Sequence, residues 1–477
     1  MSFDVLGWVL NLLVLQGVLG GLDTLYHHEL TVGLAMKPSA RRELCIHALR
    51  ASLYAVVFAA LAWLAFHGAW VWVIAGLILL EVGLTLWDFV IEDASRKLPA
   101  TERVLHTVLA INGGAVFGLY AWQLVQWHAL ESDLVLVDHG WHSIVLSVLA
   151  LGVFISGLRD AHAAWRMSRR PARANAFAGL PHQRVLVTGG TGFIGEALLN
   201  QLVAAGHAVT VLTRRPLDAA YLFQGRVRSI ASLAQLHAAE RFDVVINLAG
   251  APVIGPRWSP ARKAVLLASR MRTTDALLAW LARAEQAPAV WVQASAIGFY
   301  GVRPGDELLS ERSAAGSGFM SELCQRWEAR AGQAGGVRQV VLRLGLVFGH
   351  GGALPPLLLP YRLGVGGRVG SGAQVMSWIH LDDVLALIAR SIVDPTLRGV
   401  YNAVAPEAVS QAEFASMVGG LLGRPVWLAL PAGLLRRVLG EMAQLLVDGQ
   451  RVSPQRLLAQ GYVFRYATLR EALGDLL

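Results

Sequence analysis

Cysteine is nearly absent from this chain. The two present, Cys45 and Cys324, lie far apart without metal-ligand spacing, so neither a disulfide framework nor a cysteine metal cluster is implied. Charge is scarce as well: Asp, Glu, Lys and Arg make up 16% of the 477 residues against 55% hydrophobic, far from the usual soluble balance. That length exceeds what one hydrophobic core serves and predicts two or three domains. The formal charge is +8, yet the segments around His67-Gly68 and from His128 to Gly140 contain no lysine or arginine. A basic balance interrupted in this way predicts no nucleic-acid partner.

The apolar residues are concentrated in the first third. Five stretches, Val5 to Leu22, Ala51 to Phe66, Ala69 to Ile91, Val104 to Trp127 and Trp141 to Leu158, are each near the length that crosses a hydrocarbon core, the second needing its flanks. No cation precedes the first stretch and no small-residue cleavage site follows it, so it reads as a permanent helix. Lys37, Arg41, Arg42 and Arg50, then Arg96, Lys97 and Arg103, then Arg159, Arg166, Arg169, Arg170 and Arg173 alternate with the cation-free segments. This is the positive-inside pattern. It predicts five spans in the inner membrane, the N-terminus outside and the rest of the chain in the cytoplasm, with the lipid bilayer as the partner of the basic residues. Trp70, Trp72, Trp127 and Trp141 fall at interfacial depth. Residues 1–165 thus read as an all-α membrane bundle and the basic, proline-containing segment 166–183 as a linker.

Ionisable residues in these spans are costly unless paired or hydrated. Glu81, Asp88 and Glu92 recur at helical spacing with Thr85, and Asp23 with His27, Glu43 with His47 and Glu102 with His106 are each four apart, hence on one face. Nearly all fall on the cytoplasmic half. Facing carboxylates and imidazoles are how bundles hold metals, which keeps a metal or haem between the helices open. The spacing differs from the Glu-x-x-His of di-iron bundles, and ion pairs with hydration account for the same residues, so no metal ligand is assigned.

The second part opens on Arg184 to Val187, a strand-like run, followed by Thr188-Gly189-Gly190-Thr191-Gly192-Phe193-Ile194-Gly195 and a helix-like segment. Gly189, Gly192 and Gly195, three apart, permit a tight turn, a close backbone approach and close helix packing, while amide N–H groups and the helix dipole face an anion. This is a phosphate-binding strand–turn–helix, with Thr191, Phe193 and Ile194 beside the phosphates. The next strand, Ala208 to Leu212, ends in Arg214 and Arg215 where NAD-preferring sites keep an acidic residue, which favours the extra phosphate of NADP while leaving NAD possible. Further strands end in Asn247-Leu248-Ala249-Gly250, in Ser295 and in Gly345. Strands alternating with helices predict an α/β doubly wound parallel sheet, with ligands at the strand carboxyl ends.

The set VTGGTGFIG (187–195), NLAG (247–250), RWSPARK (257–263), SAIGFYG (295–301), ELCQRWE (322–328), RLGLVFG (343–349), GSGAQVMSWIHLDD (370–383) and NAVAPE (402–407) resembles the atypical extended short-chain dehydrogenase/reductases, specifically the epimerase/dehydratase-like proteins with their own C-terminal domain of unknown function. The resemblance implies a Rossmann-type domain over 184–404, a smaller C-terminal segment over 405–477, an NAD(P) cofactor, and binding positions at Gly189, Thr191, Gly192, Phe193, Ile194, Gly195, Asn247, Ala249 and Gly250. It also exposes an absence. The helix that carries the family's Tyr-x-x-x-Lys pair, here Phe319 to Glu328, offers Met320 and Cys324 instead. Catalysis then falls to Ser295, expected to polarise a substrate carbonyl, and to Tyr300, expected to supply a proton or to pack under the cofactor. His380 and Asp382 are expected to brace the substrate domain, and Leu354 to Gly370 to form a mobile flap. Three readings follow: a membrane-anchored NADP-dependent oxidoreductase or epimerase-like enzyme on a small or lipid-like carbonyl, a non-catalytic NADP(H) sensor or scaffold, and NADPH-fed electron transfer to a metal or haem in the bundle. An oligomer is compatible with each.

Overall fold

The computed structural model of the chain describes residues 4–32, 34, 40–95, 98–169, 173–303 and 305–477. Lys37, Arg96, Lys97 and Arg170, used above for orientation, lie outside the described residues. The chain forms two compact units, Met1–Ala172 and Arg173–Leu477.

In the first unit, α1 (Val5–Asp23) continues as a π-helix over Thr24–Val32 and is followed by α2 (Arg41–Trp63), α3 (Val71–Ser95), α4 (Ala100–His128) and α5 (Trp141–Arg169). All five are long and apolar enough to cross a membrane. The flank needed by the second stretch comes from its N-terminal side. Helix α2 starts at Arg41 and stops at Trp63, where β1 (Leu64–Phe66) turns away to pair antiparallel with β2 (Leu134–Leu136). Arg50, grouped above with the cations that precede the second stretch, is therefore inside α2. Val9, Leu13, Phe58, Ile74 and Leu146 fill the interior, and Gly157 brings α5 close to α2, since a Cβ there would lie 2.9 Å from the Ala51 Cβ. The outside is equally apolar: Leu79, Ile111 and Trp72 are 71%, 69% and 68% exposed, while Glu43, Glu81, Asp88, Glu92 and Glu102 are buried. Apolar groups outward and charge inward is the pattern a hydrocarbon solvent imposes.

The second unit is built on a seven-stranded parallel sheet. Its strands are β3 (Arg184–Thr188), β4 (Ala208–Leu212), β5 (Arg228–Ile230), β6 (Val244–Asn247), β7 (Val290–Ala296), β8 (Arg338–Leu344) and β9 (Gly399–Ala403), in the order β9-β8-β7-β6-β3-β4-β5. Continuous runs such as Val185–Val187 and Val244–Ile246 are buried on both faces, as helices on each side require. Val185 is in register with both Val209 and Val244, so β3 is central and chain direction across the sheet reverses beside it. That reversal opens a crevice at the carboxyl ends of β3 and β6. Around the sheet run α6 (Phe193–Ala204), α7 (Pro260–Leu281), α8 (Phe319–Ala331) and α9 (Leu381–Val393). Helix α7 starts where Ser259 accepts from the Arg262 amide and Pro260 pre-sets the first turn.

Two segments gain detail here. Of the segment read as a linker, residues up to Arg169 belong to α5, and Phe177 is fully buried in the sheet's core. The flap is anchored: Leu354–Arg362 is a helix that buries Leu354, Leu358 and Tyr361, and the Tyr361 hydroxyl donates to the Gly367 carbonyl at 3.0 Å.

Candidate functional site

The glycine loop joins β3 to α6. Gly189 takes φ +72, and a Cβ there would lie 2.7 Å from the Leu248 carbonyl carbon, so the turn at this point accepts only glycine. A Cβ at Gly195 would lie 2.7 Å from the Gly190 Cα, which lets α6 press against the loop. Gly192 differs. A Cβ there would meet, within 4 Å, only the Gly189 carbonyl oxygen at 3.3 Å, so the space in front of it belongs to whatever approaches the backbone. No side chain caps α6 at Gly192. Its first-turn N–H groups, with no intrahelical acceptors, and the positive end of its dipole are a cradle that suits a pyrophosphate. Thr191 is exposed beside it, Phe193 packs its ring along Gly349–Gly352, and Ile194 is half-buried.

The remaining nucleotide-site positions divide. Arg214 and Arg215 stand exposed at the end of β4, Arg215 with 82% of its side chain accessible and 3.7 Å from Asp218. Ala249 and Gly250 line the end of β6. The Asn247 side chain is turned into the sheet. It is fully buried, accepts from the Thr188 hydroxyl at 2.6 Å and donates to Gln293 Oε1 at 2.9 Å and Thr274 Oγ1 at 3.2 Å, so it fixes the relative height of β3, β6 and β7 behind the loop. A residue that sequence reading passed over, Arg270 on α7, lies against Gly250: a Cβ there would be 2.8 Å from its guanidinium carbon. Arg270 donates to the Leu266 carbonyl at 3.0 Å and stacks over Trp327.

At the ends of β7, β8 and β9 the structure joins residues far apart in sequence. The Ser295 hydroxyl donates to Glu328 at 2.5 Å, Glu328 receives Arg343 Nε and Nη2 at 2.9 and 2.7 Å, Arg343 Nη1 donates to the Tyr300 oxygen at 3.0 Å, and the Tyr300 hydroxyl donates to Asn402 Oδ1 at 2.7 Å. Ser295, Tyr300, Arg343 and Asn402 are at most 4% exposed. The Glu328–Arg343 pair is bidentate and Arg343 lies 3.3 Å over the Phe299 ring. This chain of bonds bears on the proton-donor role expected of Tyr300. Its hydroxyl is spent inside the protein, and burial pushes the phenol above its ordinary range against the pull of Arg343. Ser295 likewise gives its proton to Glu328 rather than to the crevice. Cys324 is no substitute acid: burial and the neighbouring Glu328 push its thiol up to about 11.

Beside this end the packing is apolar. Trp258, Leu323, Cys324 and Met442 form a buried cluster, with Phe319 and Met320 packed on it. The C-terminal segment contributes Met442, and the Glu441 carboxylate pairs with Lys263 on α7. The WIHLDD stretch is a brace, as expected. His380, fully buried, accepts from the Asp382 amide and lies 3.4 Å from Asp475, and Asp383 accepts from the Arg465 and Tyr466 amides at 2.8 and 3.1 Å. Burial alone would raise the Asp475 carboxyl, but His380 and Arg173 outweigh it and hold it well below the usual carboxylate range.

Residues 185–403 match the NAD dependent epimerase/dehydratase family, and residues 430–476 match a domain of unknown function, DUF1731. The chain is 39% identical over 300 residues to the epimerase family protein SDR39U1 of Bos taurus, covering 62% of this chain and 99% of that one. It is 34% identical over 300 residues to the epimerase family protein YfhF of Bacillus subtilis (strain 168), covering 61% and 97%. Among solved structures it is similar to human epimerase family protein SDR39U1 (isoform 2) with NADPH, at 38% identity and a TM-score of 0.56, over 61% of this chain and 98% of that one. It is also similar to the nucleoside-diphosphate sugar epimerase from Corynebacterium glutamicum, at 27% identity and a TM-score of 0.51, over 72% and 67%.

Proposed function

The chain belongs to the NAD dependent epimerase/dehydratase family, among the epimerase family proteins of the SDR39U1 type that carry a DUF1731 domain, and from that membership we propose that it is a membrane-anchored NADP(H)-binding oxidoreductase acting on a small or lipid-like carbonyl. The observation that carries this is the open space in front of Gly192, on an uncapped helix N-terminus, with two arginines at the end of the adjacent strand. The NADPH named in the similar human structure fits that arrangement. The bundle anchors the protein in the inner membrane with the N-terminus outside, a reading supported by five apolar helices and the placement of cations in the sequence.

When bound, the nucleotide supplies the hydride. The chain's own residues do the rest. The backbone from Gly189 to Gly195 fixes the pyrophosphate, Arg214 and Arg215 take the additional phosphate, and the Trp258, Phe319, Met320 and Met442 wall seats an apolar substrate body. The proton that a reduced carbonyl needs comes from solvent at the exposed edge by Thr191 and Gly250, since Tyr300 and Cys324 withhold theirs. A second reading, an NADP(H) sensor without turnover, is favoured by the same closed Ser295–Glu328–Arg343–Tyr300 chain. The test is NADPH oxidation by the full-length protein against aliphatic aldehydes and ketones, with Gly192→Val as control. Carbonyl-dependent oxidation lost in the variant is expected of the enzyme. Tight NADPH binding with no oxidation above the variant's rate would leave the sensor.

A further inference from the structure

The charged interior of the bundle gathers carboxylates and imidazoles from four helices. The end where α1 finishes, α2 begins, α3 finishes and α4 begins buries five carboxylates, Asp23, Glu43, Asp88, Glu92 and Glu102, with Glu81 nearer the middle of α3, together with His27, His28 and His47. Arg50 engages Asp88 and reaches Glu81 at 3.7 Å. Such a concentration of negative charge is expensive in hydrocarbon unless cations offset it. Four possible ligand atoms, one each from His28, Glu92, Glu102 and His106, lie within 4.8 Å of one another, and so do three from Glu43, His47 and Glu92. Glu92 belongs to both groups and turns one oxygen to each: Oε2 is 3.3 Å from His106 Nδ1, and Oε1 is 3.7 Å from His47 Nε2.

Distances separate two kinds of contact. His27 Nδ1 and His106 Nε2 lie 2.7 and 3.0 Å from Asp23 oxygens, ordinary hydrogen bonds. The contacts inside the two groups, 3.3 and 3.7 Å to Glu92 and 3.8 Å from His28 Nε2 to Glu102, are too long for charge-assisted hydrogen bonds. They match the edge of a coordination polyhedron, because two ligands about 2.1 Å from one ion at a tetrahedral angle lie about 3.4 Å apart. Asp23 adds the outer support such a site needs. By accepting from His106 Nε2 it leaves the Nδ1 lone pair directed at Glu92. The π-helical widening over Thr24–Val32, a feature frequent at functional sites, is what carries His28 into the interior beside His27.

We propose that this end of the bundle binds two divalent first-row transition-metal ions bridged by Glu92, one held by His28, Glu102 and His106 and the other by Glu43 and His47. Mixed imidazole and carboxylate ligation suits iron, manganese or zinc rather than calcium or magnesium. The site rests on the bundle alone and stands whether or not the second unit binds a nucleotide.

The full-length protein in detergent, stripped with chelator, is loaded in separate samples with ferrous iron, manganese(II), zinc(II) or cobalt(II), and metal per chain is measured after gel filtration, with cobalt absorption as a coordination readout. At least one metal should be retained at two ions per chain. Glu92→Gln should weaken both by about a hundredfold, His47→Asn and His106→Asn should each lose a single, different ion, and Asp23→Asn should weaken the His106 ion by roughly tenfold. Wild-type stoichiometry needs no variant to fold. Fewer than two ions per chain for every metal, or equal retention by Glu92→Gln, means an adventitious ion only and overturns the site.

Discussion

The two units bury charge in opposite ways. In the second, Ser295, Glu328, Arg343, Tyr300 and Asn402 meet at 2.5–3.0 Å, each donor closed on an acceptor. In the first, Glu92 stands 3.3 and 3.7 Å from its imidazoles. A network of short bonds holds a fold, and carboxylates and imidazoles that converge at longer distances are disposed to hold an ion between them. By this measure we read the residues that looked catalytic in the second unit as supports of the fold, and propose those that looked like helix-end ion pairs in the first as ligands.

The sharpest break in that comparison is Arg343→Ala. It strands Glu328 in a half-buried position and should cost about 3 kcal/mol, the low end for a broken buried pair. Thermal or denaturant unfolding should show it, and an unchanged midpoint would remove the network from the fold's supports. Tyr300→Phe should cost less, about 1–3 kcal/mol for the unsatisfied Asn402 and Arg343 groups, while leaving NADPH affinity and any carbonyl turnover per folded molecule intact. A large loss of turnover at undiminished stability would restore Tyr300 as a catalytic acid.

Arg214→Ala should weaken NADPH by roughly tenfold, the size of one exposed phosphate contact, and NADH little. Equal losses would count against the phosphate role. The smallest effect concerns acid. With its carboxyl held low in the fold, Asp475 binds a proton more readily unfolded than folded, so its stabilisation is full above the ordinary carboxylate value of 3.8 and is lost as pH falls toward the depressed one. Asp475→Asn should flatten acid unfolding of the second unit below about pH 4. An identical acid profile in both proteins would show that the brace contributes nothing there.

The glycine loop was legible because its evidence is local: a strand, a turn and a helix in one run of residues, with Gly189 and Gly195 where the backbone requires them. The five long apolar helices were legible by length and apolarity, and the pairs four apart did share faces. What each face meets was not. His106 pairs with Asp23 and Glu92 rather than with Glu102, His47 with Asp88 and Glu92 rather than with Glu43 alone, and Arg50 sits inside the bundle. His28 escaped because α-helical spacing does not describe a π-helix. The Glu328–Arg343 pair and Arg270 escaped for another reason: their partners are brought together by strand order, which local pattern does not encode. The missing Tyr-x-x-x-Lys pair was legible, whereas the burial of Tyr300 and its bonds to Asn402 and Arg343 were not.

The central claim is that the second unit binds NADP(H) across the glycine loop. Nicotinamide fluorescence, followed while the purified full-length protein and its Gly192→Val variant are titrated with NADPH and NADH, tests it most directly. Saturable binding by the wild type, tighter for NADPH than for NADH and absent in a folded variant, is the predicted result. No saturable binding of either nucleotide, or the same affinity in the variant, would contradict it.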